Sequence, residues 1–209
     1  MKKLIISALL VLGMLSLSAQ GLSLESTCSK LAERPHTKGL FTQNKTVTTK
    51  GKSRTLKSSG TFIFSVEGIM WNTEKPFPSS TIISRTQLIQ VAADGTESAM
   101  DMSSNDTFSS IANTLLALFS NDISLLKAGF DIDFKDQGSN KYSMKLIPKN
   151  SDVASAITNI LIEGTVTDGA TIDSITMTED SGNTITYFFT DQIYPKELTA
   201  DDKAFFRIR

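Results

Sequence analysis

The side chains that could carry out nucleophilic or acid–base chemistry are few and scattered in this sequence. His36 is the only histidine and follows Pro35 in a predicted loop, and Cys28 is the only cysteine. A nucleophile–base pair needs two side chains within hydrogen-bond reach, and a metal site needs several ligands, so neither is indicated. We interpret His36 as a solvated loop residue and Cys28 as a small buried side chain on a helix.

Two aspartates are the remaining candidates for catalysis. Asp131 and Asp133 alternate with Phe130, Ile132 and Phe134, so both point to the polar face of one predicted strand. A hydrolase would need the two carboxyl groups in a cleft with separated pKa values. The glycines occur singly at turns, and no glycine-rich phosphate-binding loop is present. The sequence therefore favours a binding protein over an enzyme, with no metal and no cofactor.

Size and charge favour one globular domain. The chain has 209 residues, a net charge of −1 and 40% hydrophobic residues, which is typical of a soluble domain. Because no basic surplus is available to neutralise phosphates, the composition excludes nucleic acid as a partner.

The first residues have the organisation of a secretory signal peptide. Within 1–21, two lysines precede the apolar stretch Leu4–Leu17, and Ala19 and Gly21 place small residues at a cleavage site. We predict that this segment is removed and that 22–209 form a single domain in the periplasm.

A short amphipathic helix is predicted next. Leu24, Cys28 and Leu31 follow the i, i+4, i+7 spacing of one helix face, Ser23 is placed to cap the start, and Pro35 ends the run. The apolar stripe of this helix needs another apolar surface to cover.

From Lys38 onward an alternating pattern typical of β-strands dominates. Turn-forming residues such as Lys50-Gly51 and Ser181-Gly182 separate the alternating runs. Short turns join antiparallel neighbours, so we predict one long, curling sheet with one wet and one apolar face. The clearest alternating runs are 61–66, 130–134, 141–146 and 184–190.

One mid-chain stretch, Asn105–Lys127, interrupts the β pattern with helical spacing. We predict a helix in its first part and a short helical turn over Ile123–Lys127. Helices inserted here, together with the N-terminal one, could close the open face of a curled sheet. The predicted fold is therefore α+β: an incomplete antiparallel β-barrel, or strongly curved sheet, with helices covering its open face as a lid.

The apolar face of the predicted sheet is aromatic around the chain's only tryptophan. Phe62 and Phe64 share one face of the predicted strand Thr61–Val66, and Trp71 lies on the next strand, Gly68–Asn72. Apolar residues on an inner sheet face are most often ordinary core. A broad apolar face combined with a helical lid nevertheless has the parts of a lipid-holding cavity.

Short motifs follow one another in a characteristic order along the predicted mature chain. They are Gly39-Leu40-Phe41-Thr42-Gln43, Ser59-Gly60-Thr61-Phe62, Gly68-Ile69-Met70-Trp71, Leu146-Ile147-Pro148-Lys149, Thr186-Tyr187-Phe188 and Ala204-Phe205-Phe206. In this order and spacing they resemble the periplasmic outer-membrane lipoprotein carrier family, the LolA-like proteins.

The resemblance implies a half-barrel whose interior receives the acyl chains of lipoproteins. It also implies three partners: acylated lipoprotein cargo, an inner-membrane lipoprotein-releasing ABC transporter and an outer-membrane receptor lipoprotein. A paralogous carrier of another lipid or glycolipid would share every motif quoted. An envelope lipid or lipoprotein sensor is the alternative from a different class.

One stretch departs from the family pattern. The family carries an Arg-Pro pair just before the tryptophan strand, and its arginine ties the lid shut through hydrogen bonds. Here Ser65-Val66-Glu67-Gly68 occupies that stretch, without an arginine. The resemblance therefore leaves the lid latch of this chain unassigned.

Pattern and resemblance together predict which side chains contact acyl chains. They belong to the apolar sheet face, to methionines whose flexible thioethers adapt to variable chains, and to the mid-chain helix. The predicted lipid-binding residues are Phe41, Phe62, Phe64, Ile69, Trp71, Met100, Met102, Phe108, Ile111, Leu115, Phe119 and Met144.

Overall fold

The structure is a computed structural model that describes residues 21–84, 86–101 and 116–206. The strands are β1 (His36–Thr49), β2 (Lys52–Ser65), β3 (Gly68–Lys75), β4 (Ser79–Ser84), β5 (Gln87–Val91), β6 (Glu97–Asp101), β7 (Phe130–Gly138), β8 (Lys141–Pro148), β9 (Ile157–Thr165), β10 (Ser174–Glu179) and β11 (Thr184–Ile193). The helices are α1 (Leu24–Ala32), α2 (Ile123–Gly129), α3 (Ser151–Ala154) and α4 (Ala200–Phe206). A further helical turn occupies 116–119.

Two predicted features fall partly beyond these ranges. The predicted signal peptide, except for Gly21, lies outside the described residues, and so does most of the predicted mid-chain helix. The second predicted helical turn is confirmed as α2, which runs two residues further than expected.

All eleven strands of the described chain form one antiparallel sheet in the order β6-β5-β4-β3-β2-β1-β11-β10-β9-β8-β7. Consecutive strands pair with each other, except β6 and β7, which lie at opposite edges of the sheet, and β11 returns to pair with β1 at the centre. The sheet is curved and open, with β6 and β7 as its two edges. The predicted single curling sheet, left incomplete as a barrel, is confirmed.

Hairpin turns fall where the sequence places turn residues. Lys50 (φ 50°) and Gly51 (φ 73°) form a two-residue turn between the paired residues Thr49 and Lys52. Positive φ at both central positions matches the turn whose twist suits a hairpin. This turn sets the register of the 14-residue strands β1 and β2 at the centre of the sheet.

Helix α1 covers part of the concave face, as predicted. The Ser23 side chain accepts a hydrogen bond from the Ser26 amide, and the Ser26 side chain accepts one from the Ser23 amide, which closes a capping box. Leu24, Cys28 and Leu31 are buried in the same cluster as the aromatic residues of the sheet. The main core therefore lies between α1 and the concave face.

The convex face is not uniformly wet, which corrects the sequence-based expectation. Ile63 and Met70 point away from the concave face, yet both are buried in a second cluster against Leu198 and Phe206 of the C-terminal segment. The sequence pattern treated Ile63 as part of a polar face because helix α4, which covers it, is too short to show a clear helical period.

Helix α4 is anchored to the sheet by an ion pair. Lys38 Nζ lies 2.7 Å from both carboxylate oxygens of Asp202, whose side chain is 10% exposed. Thr199 caps the helix by accepting a hydrogen bond from the Asp202 amide at its Oγ1, and it donates its own backbone and hydroxyl hydrogens to the Asp202 carboxylate. These bonds lower the pKa of Asp202 despite the opposing effect of burial.

Candidate functional site

The concave face encloses a cavity of about 690 Å³. This volume is within the range of about 300–1,000 Å³ that ligand sites occupy. Its walls are inward-facing side chains of seven strands and the residue that precedes β9. They are Phe41, Gln43, Lys45, Trp71, Thr73, Thr81, Ile83, Leu88, Gln90, Ala156, Ile157, Ile175, Met177, Glu179, Ile185 and Tyr187.

The cavity wall becomes more polar in the direction in which β1 and β10 run. On β1 the inward residues are Phe41, then Gln43, then Lys45, and on β10 they run from Ile175 to Glu179. Because β1 and β10 both pair antiparallel with β11, they run in the same direction. Both strands therefore change from apolar to charged toward the same end of the cavity.

Three further strands repeat this change. Trp71 precedes Thr73 on β3, and Leu88 precedes Gln90 on β5, both of which run parallel to β1. On β4, which runs the opposite way, the polar Thr81 comes first. On these five strands the wall therefore becomes more polar toward one end of the cavity, where Ile185 pairs with Lys45 and Ile157 with Glu179, so that this end is mixed rather than wholly polar.

The polar end carries one ion pair. Lys45 Nζ lies 3.8 Å from Glu179 Oε1, and the two side chains are 43% and 30% exposed. At this distance and exposure the pair is weak, because water screens both charges. It can therefore open at little cost to admit the polar part of a ligand.

Aromatic rings form the middle of the cavity wall. The ring centroids of Trp71 and Tyr187 are 5.6 Å apart, and those of Phe41 and Tyr187 are 5.9 Å apart. Gln43 donates from Nε2 to the Tyr187 hydroxyl at 2.7 Å, and Ser58 donates to the other end of the same amide. Burial raises the pKa of Tyr187, which the bond from Gln43 opposes only in part, so the phenol is neutral.

The rest of the concave face is packed rather than hollow. Phe64 contacts the rings of Phe62, Phe119 and Phe189, at centroid distances of 4.6, 5.4 and 5.0 Å. The gap beside Phe64 and Leu31 of α1 measures about 10 Å³, which is at most the size of one water molecule. This covered end has no room for a ligand.

An arginine does attach helix α1 to the sheet, but it lies at another position in the chain than the arginine of the family pattern. Arg34, just after α1, donates to Asp168 at 2.8 Å and to the Ala170 carbonyl at 3.3 Å, and its guanidinium stacks 3.9 Å from the Tyr194 ring. A bond from Thr167, followed by the charge of Arg34, lowers the pKa of Asp168. The C-terminal end of α1 is thereby tied to the β9–β10 connection.

The predicted lipid-binding residues divide into five groups. Phe41 and Trp71 line the cavity, whereas Phe64 and Phe119 border the small gap under α1. Three are fully packed in the same core cluster, and Met100 is 38% exposed on the edge strand β6. The packed residues are Phe62, Ile69 and Met144. The predicted residues Met102, Phe108, Ile111 and Leu115 lie outside the described part of the chain.

Sequence reasoning missed most of the cavity wall on strands β4, β5 and β9–β11. Ile83, Leu88, Ile175, Met177 and Tyr187 were not among the predicted contacts, although all five face the cavity. Their alternation with outward residues was the available signal. Alternation identifies the inner face but does not distinguish a packed position from a hollow one.

The candidates for catalysis are dispersed. His36 is not in a loop, as the sequence suggested, but begins β1, with its Nδ1 3.0 Å from Ser65 Oγ. Asp131 and Asp133 are exposed and form ion pairs with Lys149 and Lys135. Within the described ranges no three acidic, histidine or cysteine side chains cluster as metal ligands.

Among the described residues, no helix is both long and apolar enough to cross a membrane.

Comparison with known proteins gives one strong match. Residues 36–207 match the family model of the outer membrane lipoprotein carrier protein LolA. No curated protein shows significant sequence similarity to the chain.

Three solved structures align with most of this chain at low identity. A domain described as an outer membrane lipoprotein-sorting protein, from Vibrio parahaemolyticus, is 10% identical over 88% of this chain and 99% of its own, with a TM-score of 0.43. A protein of a family of unknown function from Desulfovibrio piger is 11% identical over 88% and 94%, with a TM-score of 0.47. A LolA superfamily protein from Nitrosomonas europaea is 10% identical over 88% and 97%, with a TM-score of 0.42. At these values the three neighbours support no conclusion about ligand or partner.

Proposed function

Because the chain belongs to the outer membrane lipoprotein carrier family, we propose that it carries acylated lipoproteins and shields their acyl chains in the cavity of the concave face. The observation that carries the proposal is the cavity of about 690 Å³ whose wall becomes more polar toward one end on five of its strands, with charged side chains on two of them. A lipid-modified protein has the same polarity order, from hydrocarbon to polar polypeptide.

The physical need for such a carrier follows from the cost of exposing hydrocarbon to water. Each buried methylene is worth about 0.8 kcal/mol, so one acyl chain contributes on the order of 10 kcal/mol. A lipoprotein that leaves one membrane for another must keep this surface covered in between. The apolar side chains of the cavity wall, among them Ile83, Leu88 and Ile175, supply the cover.

The direction of transport and the partners are part of the proposal. The signal-like segment 1–21 supports export to the periplasm. There the protein would accept cargo from an inner-membrane lipoprotein-releasing ABC transporter and deliver it to an outer-membrane receptor lipoprotein. No enzymatic step is needed, because loading and release are changes of binding partner.

A pair of variants on one strand tests the cavity. Thr73 faces the cavity, whereas the adjacent Glu74 is exposed at a register shift of the β2–β3 pairing and is not part of the cavity wall. Thr73→Phe fills cavity space and is expected to weaken binding of a fluorescent palmitoyl probe about tenfold or more, whereas Glu74→Phe adds the same ring outside and leaves binding unchanged. Equal affinity of both variants and the wild type would refute the cavity as the acyl site.

The nature of the cargo requires a second measurement. We expect that the protein, purified from the periplasm, carries triacylated or diacylated polypeptides that mass spectrometry detects. Recovery of a glycolipid or another lipid without polypeptide would instead identify a carrier of that lipid. In an exchange assay, loaded protein should pass its lipoprotein to acceptor outer-membrane vesicles, and failure to do so would remove the transport role.

A further inference from the structure

One hydrogen-bond donor beside the cavity is buried without a partner. The indole Nε1 of Trp71 forms no hydrogen bond in the described structure, although the tryptophan ring lines the cavity. A buried donor that has lost its water and gained no acceptor is costly, so such groups are rare in folded proteins. A ligand that brings an acceptor would remove this cost.

A second donor lies next to the first. Gln43 donates to the Tyr187 hydroxyl oxygen, and the bond from Ser58 to Gln43 Oε1 fixes the orientation of that amide. The hydrogen of the Tyr187 hydroxyl therefore has no acceptor on Gln43, and none on any other described residue. Two polar groups with hydrogens to donate thus share the aromatic wall, with ring centroids 5.6 Å apart.

The two donors are located between the apolar and the charged ends of the cavity. Ile83 and Leu88 line the wall on the apolar side, and Lys45 and Glu179 line it on the other. A ligand group at this level must follow the hydrocarbon and precede the polar body. The carbonyl of an acyl ester has this position, and it accepts hydrogen bonds without donating any.

We propose that Trp71 and Tyr187 bind the carbonyl oxygen of an acyl ester, with the indole N–H as the principal donor. This inference rests on the proposed function, because it assumes that an acyl chain enters the cavity. Binding requires the Trp71 side chain to turn, because Nε1 is buried in the structure while the ring borders the cavity. A neutral ester is favoured over a free carboxylate, since burying a charge away from a counter-ion is more costly.

Two lipid probes that differ only at the carbonyl distinguish recognition of the ester carbonyl from binding of the hydrocarbon chain alone. The first is 1-palmitoyl-lysophosphatidylcholine, an ester, and the second is 1-O-hexadecyl-lysophosphatidylcholine, its ether counterpart. Both are expected to bind the mature protein below their micelle concentrations. The ester is expected to bind about tenfold more tightly, which corresponds to about 1.4 kcal/mol.

Nuclear magnetic resonance provides a readout that needs no mutation. With a single tryptophan, the protein gives one indole N–H resonance. We expect the ester to move this proton downfield and to slow its exchange with solvent, and the ether to do neither. Equal responses to the two probes would overturn the inference. If neither probe binds, the proposed function is overturned.

The variant Trp71→Phe keeps an aromatic ring and removes the donor. By calorimetry the ester-to-ether affinity ratio is expected to fall to about one, while the ether affinity changes at most two- to threefold. Tyr187→Phe is expected to lower the ratio less. An unchanged ratio in Trp71→Phe would overturn the inference, and if this variant does not fold, the resonance experiment on the wild type decides.

Discussion

The two ends of the concave face have the same strand pattern and different interiors. At the covered end, Phe64 touches three other aromatic rings and the remaining gap measures about 10 Å³. At the open end, the inner face of the same sheet borders a cavity of about 690 Å³. Among the described residues the difference is the cover, because α1 and the helical turn at 116–119 place Leu31 and Phe119 against the first end. Whether an apolar sheet face becomes core or cavity is thus decided by what packs on it.

The largest predicted effect is a difference in the loss of stability between a variant at the covered end and a variant at the open end. Phe64→Ala removes a ring that is 2% exposed and should cost about 3–5 kcal/mol in the free energy of unfolding, the usual loss for a buried aromatic ring. Met177→Ala, at a half-buried position on the cavity wall, should cost about 1 kcal/mol or less, since its side chain already borders open space. Urea denaturation of both variants measures the difference. Equal losses would mean that the open end is packed as tightly as the covered end.

The pH dependence of the free energy of unfolding should show how completely α1 shields the Cys28 thiol from water. Burial, with a smaller contribution from Glu25, raises the pKa of the Cys28 thiol from 9.0 to about 11. The folded state therefore binds the thiol proton more tightly than the unfolded chain. Its stabilising contribution is complete below pH 9 and is lost as the pH rises toward 11.

Between pH 9 and pH 10, this loss should amount to about 1 kcal/mol. Cys28→Ala is expected to be less stable at every pH but to show a flatter decline over that interval, measured by urea denaturation. Titration of the tyrosines is common to both proteins and cancels in the comparison. Identical slopes would indicate that water reaches the thiol beneath α1.

The smallest effect concerns how firmly the cover is attached. Arg34→Lys loses the stacking on Tyr194 and the forked geometry toward Asp168 and Ala170. We expect the amides of α1 to open about two- to fivefold more often, with little change in global unfolding. Hydrogen exchange detected by mass spectrometry measures this local opening.

A matched variant tests which contact of Arg34 matters. The Asp168 side chain is 88% exposed, so water screens its charge and Asp168→Asn should change exchange in α1 less than Arg34→Lys does. The reverse order would assign the attachment to the ion pair rather than to the buried stacking.

Much of the fold was predictable from local patterns. Alternation and turn residues predicted a single antiparallel sheet, and the spacing of Leu24, Cys28 and Leu31 predicted α1 with its cap at Ser23. Period-two alternation is reliable here because each hairpin turn sets the register of the following strand. The C-terminal helix α4 was not predicted, because seven residues contain too few turns to reveal a period.

The candidate site was less predictable, for a physical reason. Phe62 and Trp71 are both aromatic residues on the predicted apolar face, and the sequence does not distinguish them. In the structure, Phe62 is 1% exposed in the core and Trp71 borders the cavity. Strand β10, which supplies Met177, is far from β3 in sequence and borders the same cavity because the sheet curves. Curvature and cover depend on the whole fold, so no local pattern encodes them.

The unjoined margins of the sheet have a mechanical consequence. Among the described strands, β6 and β7 each pair on one side only, so the sheet has two free edges instead of a complete ring of hydrogen bonds. A closed ring can widen only by stretching or breaking bonds between strands, whereas a sheet with two free edges can unroll by small changes of twist in every pair. The width of the curved sheet can thus adjust to a longer or bulkier ligand while all the hydrogen bonds between its strands stay intact.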